Sequence, residues 1–542
     1  MSFTSPYPDV DIPDSSLYRL LFSGSDTDHL HRPALVDAHS GSITTYRSLK
    51  AEVDSIAGAL AARGLQLGDV VGLLALNSPT FAAVYHGVLR AGGVVTTINA
   101  LYTADDIARQ LKDGRARFLF ADNALLPQAT AAVAEAGLPP ACIIAIDADD
   151  HTPSVSDLLA EEAPPPELSF DATSQLAVLP YSSGTTGRPK GVKLTHRNLV
   201  ANLCQIESVM GITAEDTVIA ALPFFHVYGM TAILNAGLHH RAQIITMRKF
   251  QLRTFLAAIS AYRCTFAFIA PPIAVSLVKD PVVDEFDLSS LNTIVSGAAP
   301  LDRELAVALQ NRLGCSVRQG YGMSEMSPVS HVIPWDRHDI DLGSVGTTIP
   351  NMECKLVDPA TGTEILAPGE GLSTPGELWC RGPNVMVGYL GDDKATAATL
   401  DSNGYLHTGD IATIDANGVV TIVDRMKELI KYKGYQVPPA ELEALLLTHP
   451  QIDDVAVIAA RTRDGEEVPK AFVVPVSESA LDSAEVLAFV ADRVSPHKKI
   501  RIVEFIERIP KSPAGKILRR ELAKRDPYGS TAPAETASSG DS

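Results

Sequence analysis

The sequence predicts an α/β protein: a large N-terminal domain of layered sheets and helices, followed by a small mobile α+β domain. Three observations lead there. At 542 residues the chain is too long for one hydrophobic core, so two or more domains are expected. Up to residue 424, helical and strand-like stretches alternate. Beyond it the pattern restarts with a proline-led helix and a fresh run of strands. We place the large domain at 1–424, a hinge at 425–427, the small domain at 428–525 and a disordered tail at 526–542.

Individual elements follow from local chemistry. Val70–Leu76 and Ile294–Ser296 are apolar enough to be buried strands. Thr103-x-x-Asp106, set before Ile107, Ala108 and Leu111, reads as a capped helix start. No repeat of solenoid period occurs. In the small domain, Pro439 suits a first helical turn. Leu442, Leu445 and Leu446 share one face, and Glu441 and Glu443 are expected on the other. Strands are expected at Val455–Ala459, Ala471–Val474 and Ile502–Ile506, with a helix over Leu481–Val494. The tail, DPYGSTAPAETASSGDS, has almost nothing to bury.

Composition narrows the function. A net charge of −19 argues against a general binder of nucleic acid or anionic membranes. Six scattered cysteines without a C-x-x-C suit small buried residues in a reducing compartment. The start, MSFTSPYPDVDIPDSS, lacks a basic-then-apolar signal, and the end, Gly-Asp-Ser, is not a peroxisomal tripeptide. Thr265–Val278 is apolar but short and broken by Pro271 and Pro272. A soluble cytoplasmic protein is expected, with no oligomeric state assigned.

The most informative stretch is Tyr181–His196, YSSGTTGRPKGVKLTH. Its glycines let backbone amides turn toward an anion, its hydroxyls add donors and Lys190 adds charge. The spacing Gly184-x-x-Gly187-x-x-Lys190, followed by a strand-like run, is not a Walker A. It is the chemistry of a loop that closes over a nucleotide triphosphate. Gln319–Glu325, QGYGMSE, flanks Tyr321 with glycines, so backbone can approach a ligand while an aromatic face is offered to it. Further strings are Thr408-Gly409-Asp410, Asp424–Gln436 (DRMKELIKYKGYQ) and Pro510–Arg520 (PKSPAGKILRR).

Together these strings resemble the signatures of the adenylate-forming superfamily, which includes acyl-CoA ligases, beetle luciferases and nonribosomal adenylation domains. From about residue 10 to 525 the chain most resembles 4-coumarate:CoA ligases and their bacterial counterparts. The resemblance implies ATP and CoA as co-substrates and a two-step reaction through an acyl-adenylate. It implies that Ser182, Ser183, Gly184, Thr185, Thr186, Gly187 and Lys190 hold the β- and γ-phosphates. Ala299, Gln319 and Gly320 would also bind ATP and AMP, and Tyr321 would stack on adenine. Ser324, where many plant members have threonine, would touch the α-phosphate, and Glu325 would help hold Mg²⁺. Asp410 and Arg425, with Asp424 beside them, resemble the group that grips ribose.

By the same resemblance Lys516 bridges the substrate carboxylate and the α-phosphate in the first step. Lys427 is the hinge. Lys431 and Gln436 contact the acyl-adenylate in the second step, and Lys433 and Gly434 lie along the CoA channel. His226 sits beside the carboxylate and gates that channel. Tyr228, Val295, Ala298, Gly320, Gly322, Pro328 and Val329 would line the acyl pocket, with Tyr228 able to bond a para-hydroxyl. Thr217–Lys279 contains no Asp or Glu, and His226 follows Phe225 where amino-acid-activating relatives carry Asp, which argues against an amino-acid substrate. Hydroxycinnamates are the first choice of acid. Cinnamate, benzoates and medium-chain fatty acids compete with them. An enzyme loading a carrier protein, a luciferase and an inactive nucleotide-binding protein are the rival readings.

Overall fold

The computed structural model describes residues 2–23, 29–182, 189–366, 368–432, 435–462, 466–477, 481–512 and 515–525. The tail at 526–542, expected to be disordered, lies outside them.

Two largely parallel sheets build the large domain. The first runs, in order, Gly388–Tyr389, Lys190–Thr195, Leu176–Val178, Val94–Thr97, Val70–Leu74, Ala116–Ala121 and Ile143–Ala145, with Tyr181–Ser182 paired to Lys190–Thr195. The second has nine strands, centred on the parallel set Thr217–Ala220, Phe266–Ile269, Thr293–Ser296 and Ser316–Gly322. Helices such as Tyr46–Ala62, Pro79–Arg90 and His196–Met210 share one apolar core with these sheets. A third, antiparallel sheet runs Phe3–Thr4, Glu353–Val357, Gly376–Arg381, Leu406–Ile414 and Val420–Arg425. Its last strand leads into the small domain.

The elements read from sequence occur. The helix Ala104–Asp113 starts in a capping box between Thr103 and Asp106. The segment after the glycine-rich loop is the strand Lys190–Thr195. The small domain begins with the helix Pro439–Leu447, then the strands Ile452–Arg461 and Glu467–Pro475, the helix Ser483–Ala491 and the strand Ile502–Phe505. It has its own core around Leu442, Val455, Val473 and Val486. One expectation fails. Glu443 is buried rather than on a solvent face. It accepts from the Val457 amide at 2.7 Å and from Arg519, so a distant cation draws it inward. Among the described residues no helix is long and apolar enough to cross a membrane.

Candidate active site

The cleft is built where the second and third sheets meet the small domain. Asp410 sits on Leu406–Ile414 just past Gly409, whose φ of +72° turns the strand and favours glycine. Its carboxylate is buried, accepts from the Tyr321 hydroxyl at 2.6 Å and pairs with Arg425 Nε at 3.2 Å. Tyr321 lies at the end of Ser316–Gly322 and is half-buried. The three side chains expected around adenosine therefore form one cluster.

Asp424 turns elsewhere. One oxygen accepts from the Arg425 amide at 2.6 Å and the other from the Ala440 amide at 3.0 Å, at the start of the small domain's first helix. Burial pushes its carboxyl up to about 6. Gln319 is also committed. Its side-chain carbonyl accepts from the Leu301 amide at 2.9 Å, and its amide nitrogen donates to the carbonyls of Leu301 and Leu342. It braces the loop that carries Ala298 and Ala299 rather than offering a free amide.

A second cluster lies around Ser182 and Lys190, which flank the loop expected to hold the phosphates. Glu325, in the short turn Ser324–Met326, is buried. Its Oε1 accepts from the Tyr389 hydroxyl at 2.8 Å and from Ser182 Oγ at 3.1 Å. Lys190 Nζ stands 5.0 Å from the Tyr389 ring centroid and 3.9 Å from Asp392. Among the described residues the side-chain hydrogen bonds of Glu325 fall on Oε1, and Oε2 accepts none. One carboxylate beside a phosphate site suits Mg²⁺, which usually takes one or two plus phosphate oxygens. Tyr389 and Asp392 were not anticipated. The signal available was Asp392 as the N-cap of the helix Asp393–Thr399. Ser183, Gly184, Thr185, Thr186 and Gly187, and likewise Lys433 and Gly434, lie outside the described residues, as does the side chain of Gln436.

The acyl-pocket candidates also converge. Tyr228 begins a π-helical stretch, Tyr228–Asn235. Its ring lies against Gly297, where a Cβ would stand 3.0 Å from it. Its hydroxyl donates to the Val295 carbonyl at 3.2 Å, which leaves the oxygen free to accept. Ala298 has φ +70° and is exposed, as is Gly322. Gly322 passes so close to Pro328 that a Cβ would lie 2.1 Å from the Pro328 carbonyl oxygen. At Gly320 the nearest such contact is 3.5 Å. Val329 is buried on the neighbouring strand, Val329–Val332. His226 is half-buried, and its Nδ1 accepts from the Tyr228 amide at 3.3 Å, which assigns the ring proton to Nε2. Burial, then the nearby Lys516, pushes its pKa down to about 4.

Lys516 arrives from the small domain. Its loop is closed by Ser512 N to Lys516 O at 2.8 Å and Lys516 N to Ser512 Oγ at 3.1 Å. Gly515, at φ +82°, presses on the large domain, where its Cβ position is 3.0 Å from Ala270 Cβ. Among the described residues the Lys516 ammonium has no hydrogen bond or ion pair. Burial first, then Arg425, lowers its pKa to about 8, against the pull of Glu428 and Asp410. Lys431 is exposed on the hairpin Ile430–Tyr432/Tyr435–Val437, its amide bonded to Glu467 at 2.9 Å. Lys427 is exposed between the domains.

The AMP-binding enzyme family model matches residues 24–390, and that of the AMP-binding enzyme C-terminal domain matches 441–516. The chain belongs to the AMP-binding enzyme family. A 4-coumarate–CoA ligase 3 of Oryza sativa subsp. japonica is 38% identical over 537 residues, 96% of this chain and 94% of that one. The peroxisomal OPC-8:0-CoA ligase 1 of Arabidopsis thaliana is 39% identical over 94% of each. The ATP-bound structure of MatB from Rhodopseudomonas palustris superposes with a TM-score of 0.85 at 28% identity, covering 94% of this chain and 98% of that one. In this AMP-binding enzyme, Lys190, Tyr321, Glu325, Tyr389 and Lys516 fall within the segments those family models match, and Asp392, Asp410 and Arg425 fall in the interval 391–440 between them.

Proposed function

We propose that this protein is an ATP-dependent acid:CoA ligase that activates a hydroxycinnamate-type acid, 4-coumarate or a close relative. The observation that carries the reading is Lys516: a half-buried ammonium without a partner among the described residues, brought by a separate domain to a cleft that already holds paired Asp410, Arg425 and Tyr321. Such a cation awaits an anion from outside the protein.

The first step joins two anions, a carboxylate and the ATP α-phosphate. The acid's oxygen bonds to the α-phosphorus and the bond to the pyrophosphate leaving group breaks. Lys516 would hold the carboxylate and α-phosphate together, and Ser324 would contact the same phosphate. Lys190, Ser182 and the loop 183–187 would hold the outer phosphates. Tyr321, with Gly320 and Ala299, would seat the adenine, and Asp410 with Arg425 the ribose. Glu325 would hold Mg²⁺, which supplies charge neutralisation on the phosphates. Preorganised charge of this kind is commonly the largest catalytic term.

In the second step the CoA thiol attacks the acyl carbon and AMP leaves. The small domain would turn on Lys427, withdrawing Lys516 and presenting Lys431 and Gln436, with Lys433 and Gly434 along the thiol's path. His226, uncharged with its proton on Nε2, would donate toward the carboxylate and shift as CoA enters.

The names of the coumarate ligase relatives support a hydroxycinnamate, as does a Tyr228 oxygen able to accept from a para-hydroxyl. The OPC-8:0 ligase relative favours a second reading, an aliphatic acid in the same slot. A reducing, cytoplasmic setting belongs to the proposal, supported by six buried cysteines without disulfides. The test is acid-dependent pyrophosphate release across aromatic and aliphatic acids, with and without CoA. Release with 4-coumarate, and thioester only with CoA, is expected. ATP binding without release for any acid would reject the reading.

A further inference from the structure

We propose that Arg519 is a positioning residue: by occupying Glu443 and Glu428 it keeps the Lys516 ammonium unpaired at the nucleotide cleft. The inference rests on the adenylation reading above and adds the device that keeps its cation available.

The carboxylates around this corner are each committed. Asp410 holds Arg425 and Tyr321. Asp424 holds two backbone amides. Glu443 accepts from Arg519 Nη2 on both oxygens, 2.7 Å each, and Glu428 pairs with Nη1 at 3.1 Å. Arg519 Nε donates to the Val457 carbonyl at 3.2 Å, fixing the guanidinium on the small domain's edge strand Ile452–Arg461. Arginine suits this place because its planar fork serves several acceptors at once. Lys516, three residues earlier, has no acceptor among the described residues.

Without Arg519, the buried Glu443 and the partly buried Glu428 would lose the guanidinium that pairs both, a costly state. Lys516 stands three residues away on the cleft side, and Glu428 and Asp410 already act on it. The groups that bear on Lys516 are Glu428 and Asp410 in one sense, and Arg425 and Arg519 in the other, with His226 beside it. Losing Arg519 removes a repelling charge and releases an attracting one. The ammonium would then pair within the protein and leave the cleft.

The test compares Arg519→Gln, Arg519→Lys and Arg519→Gln with Glu428→Gln on the full chain. Arg519→Gln should lower pyrophosphate release on the order of a hundredfold, the typical cost of a misplaced catalytic group. Adding Glu428→Gln should restore at least about tenfold, and Arg519→Lys should keep most of the rate. A readout independent of turnover is the pH dependence of Lys516 acylation by an amine reagent, followed by mass spectrometry. Its midpoint should rise from about 8 in Arg519→Gln and fall in the Glu428→Gln single variant, which serves if Arg519→Gln does not fold. Unmoved midpoints, or a double variant no faster than Arg519→Gln, would overturn the proposal. A Lys516→Ala control that releases pyrophosphate at the wild-type rate would instead reject the adenylation reading, while the labelling still reports on Arg519.

Discussion

Lys516 and Lys431 ride on the same small domain, yet their surroundings are opposite. Lys516 is half-buried beside Arg425 and Asp410, on a loop whose Gly515 touches Ala270. Lys431 is exposed on an outer hairpin. The difference teaches that one arrangement of the domains serves one lysine. It is the arrangement our proposal requires for adenylation, with the second lysine awaiting a rotation.

The comparison is broken or sharpened most by removing Lys516. Lys516→Ala should cut acid-dependent pyrophosphate release at least about a hundredfold, as loss of one preorganised donor does. Thioester formation from supplied acyl-AMP and CoA should persist, read by thioester absorbance or mass spectrometry. Lys427→Pro and Lys431→Ala should do the reverse, sparing pyrophosphate release and slowing thioester formation by roughly ten- to a hundredfold. Equal losses in both half-reactions for all three variants would refute alternation.

Next in size is the acyl floor. At Gly322 a Cβ would sit 2.1 Å from the Pro328 carbonyl oxygen, so Gly322→Ala should cost about 1–3 kcal/mol of stability, measured by denaturant titration. Gly320→Ala has space, and should instead raise KM several-fold for bulky acids with little change in stability. Smaller still is pH. With Lys516 near 8 in the free protein, kcat/KM for adenylation should fall as pH rises through about 8, because the neutral amine attracts neither carboxylate nor phosphate. The limb should be missing from thioester formation.

Much of this was legible in the sequence, because the informative residues act locally. Thr103 and Asp106 cap a helix within one turn. Pro439 starts another, and the strand after Lys190 follows from alternation. The failures share a cause, which is partners far along the chain. Glu443 looked like a solvent-facing residue because Arg519, 76 positions away, is invisible to helical periodicity. Gln319 stands in a string expected to bind the nucleotide, yet its amide is spent on Leu301 and Leu342. Asp424 neighbours Arg425 in sequence, but its side chain reaches Ala440. Motif position pointed to the segments proposed for the site, and only three dimensions told which of their atoms are already bonded within the protein.

That reach of Asp424 has a kinetic consequence. The helix Pro439–Leu447 has no side-chain cap of its own at Pro438, and the Asp424 oxygen fills that role from the far side of the joint. Swinging about Lys427 would strip the helix of this borrowed cap once per catalytic cycle and restore it on the return. A cap is worth about 1 kcal/mol, a several-fold bias toward the resting pose. Replacing Asp424 with alanine should therefore tilt the population toward the thiol-accepting pose, detectable as faster cleavage of the joint by a protease.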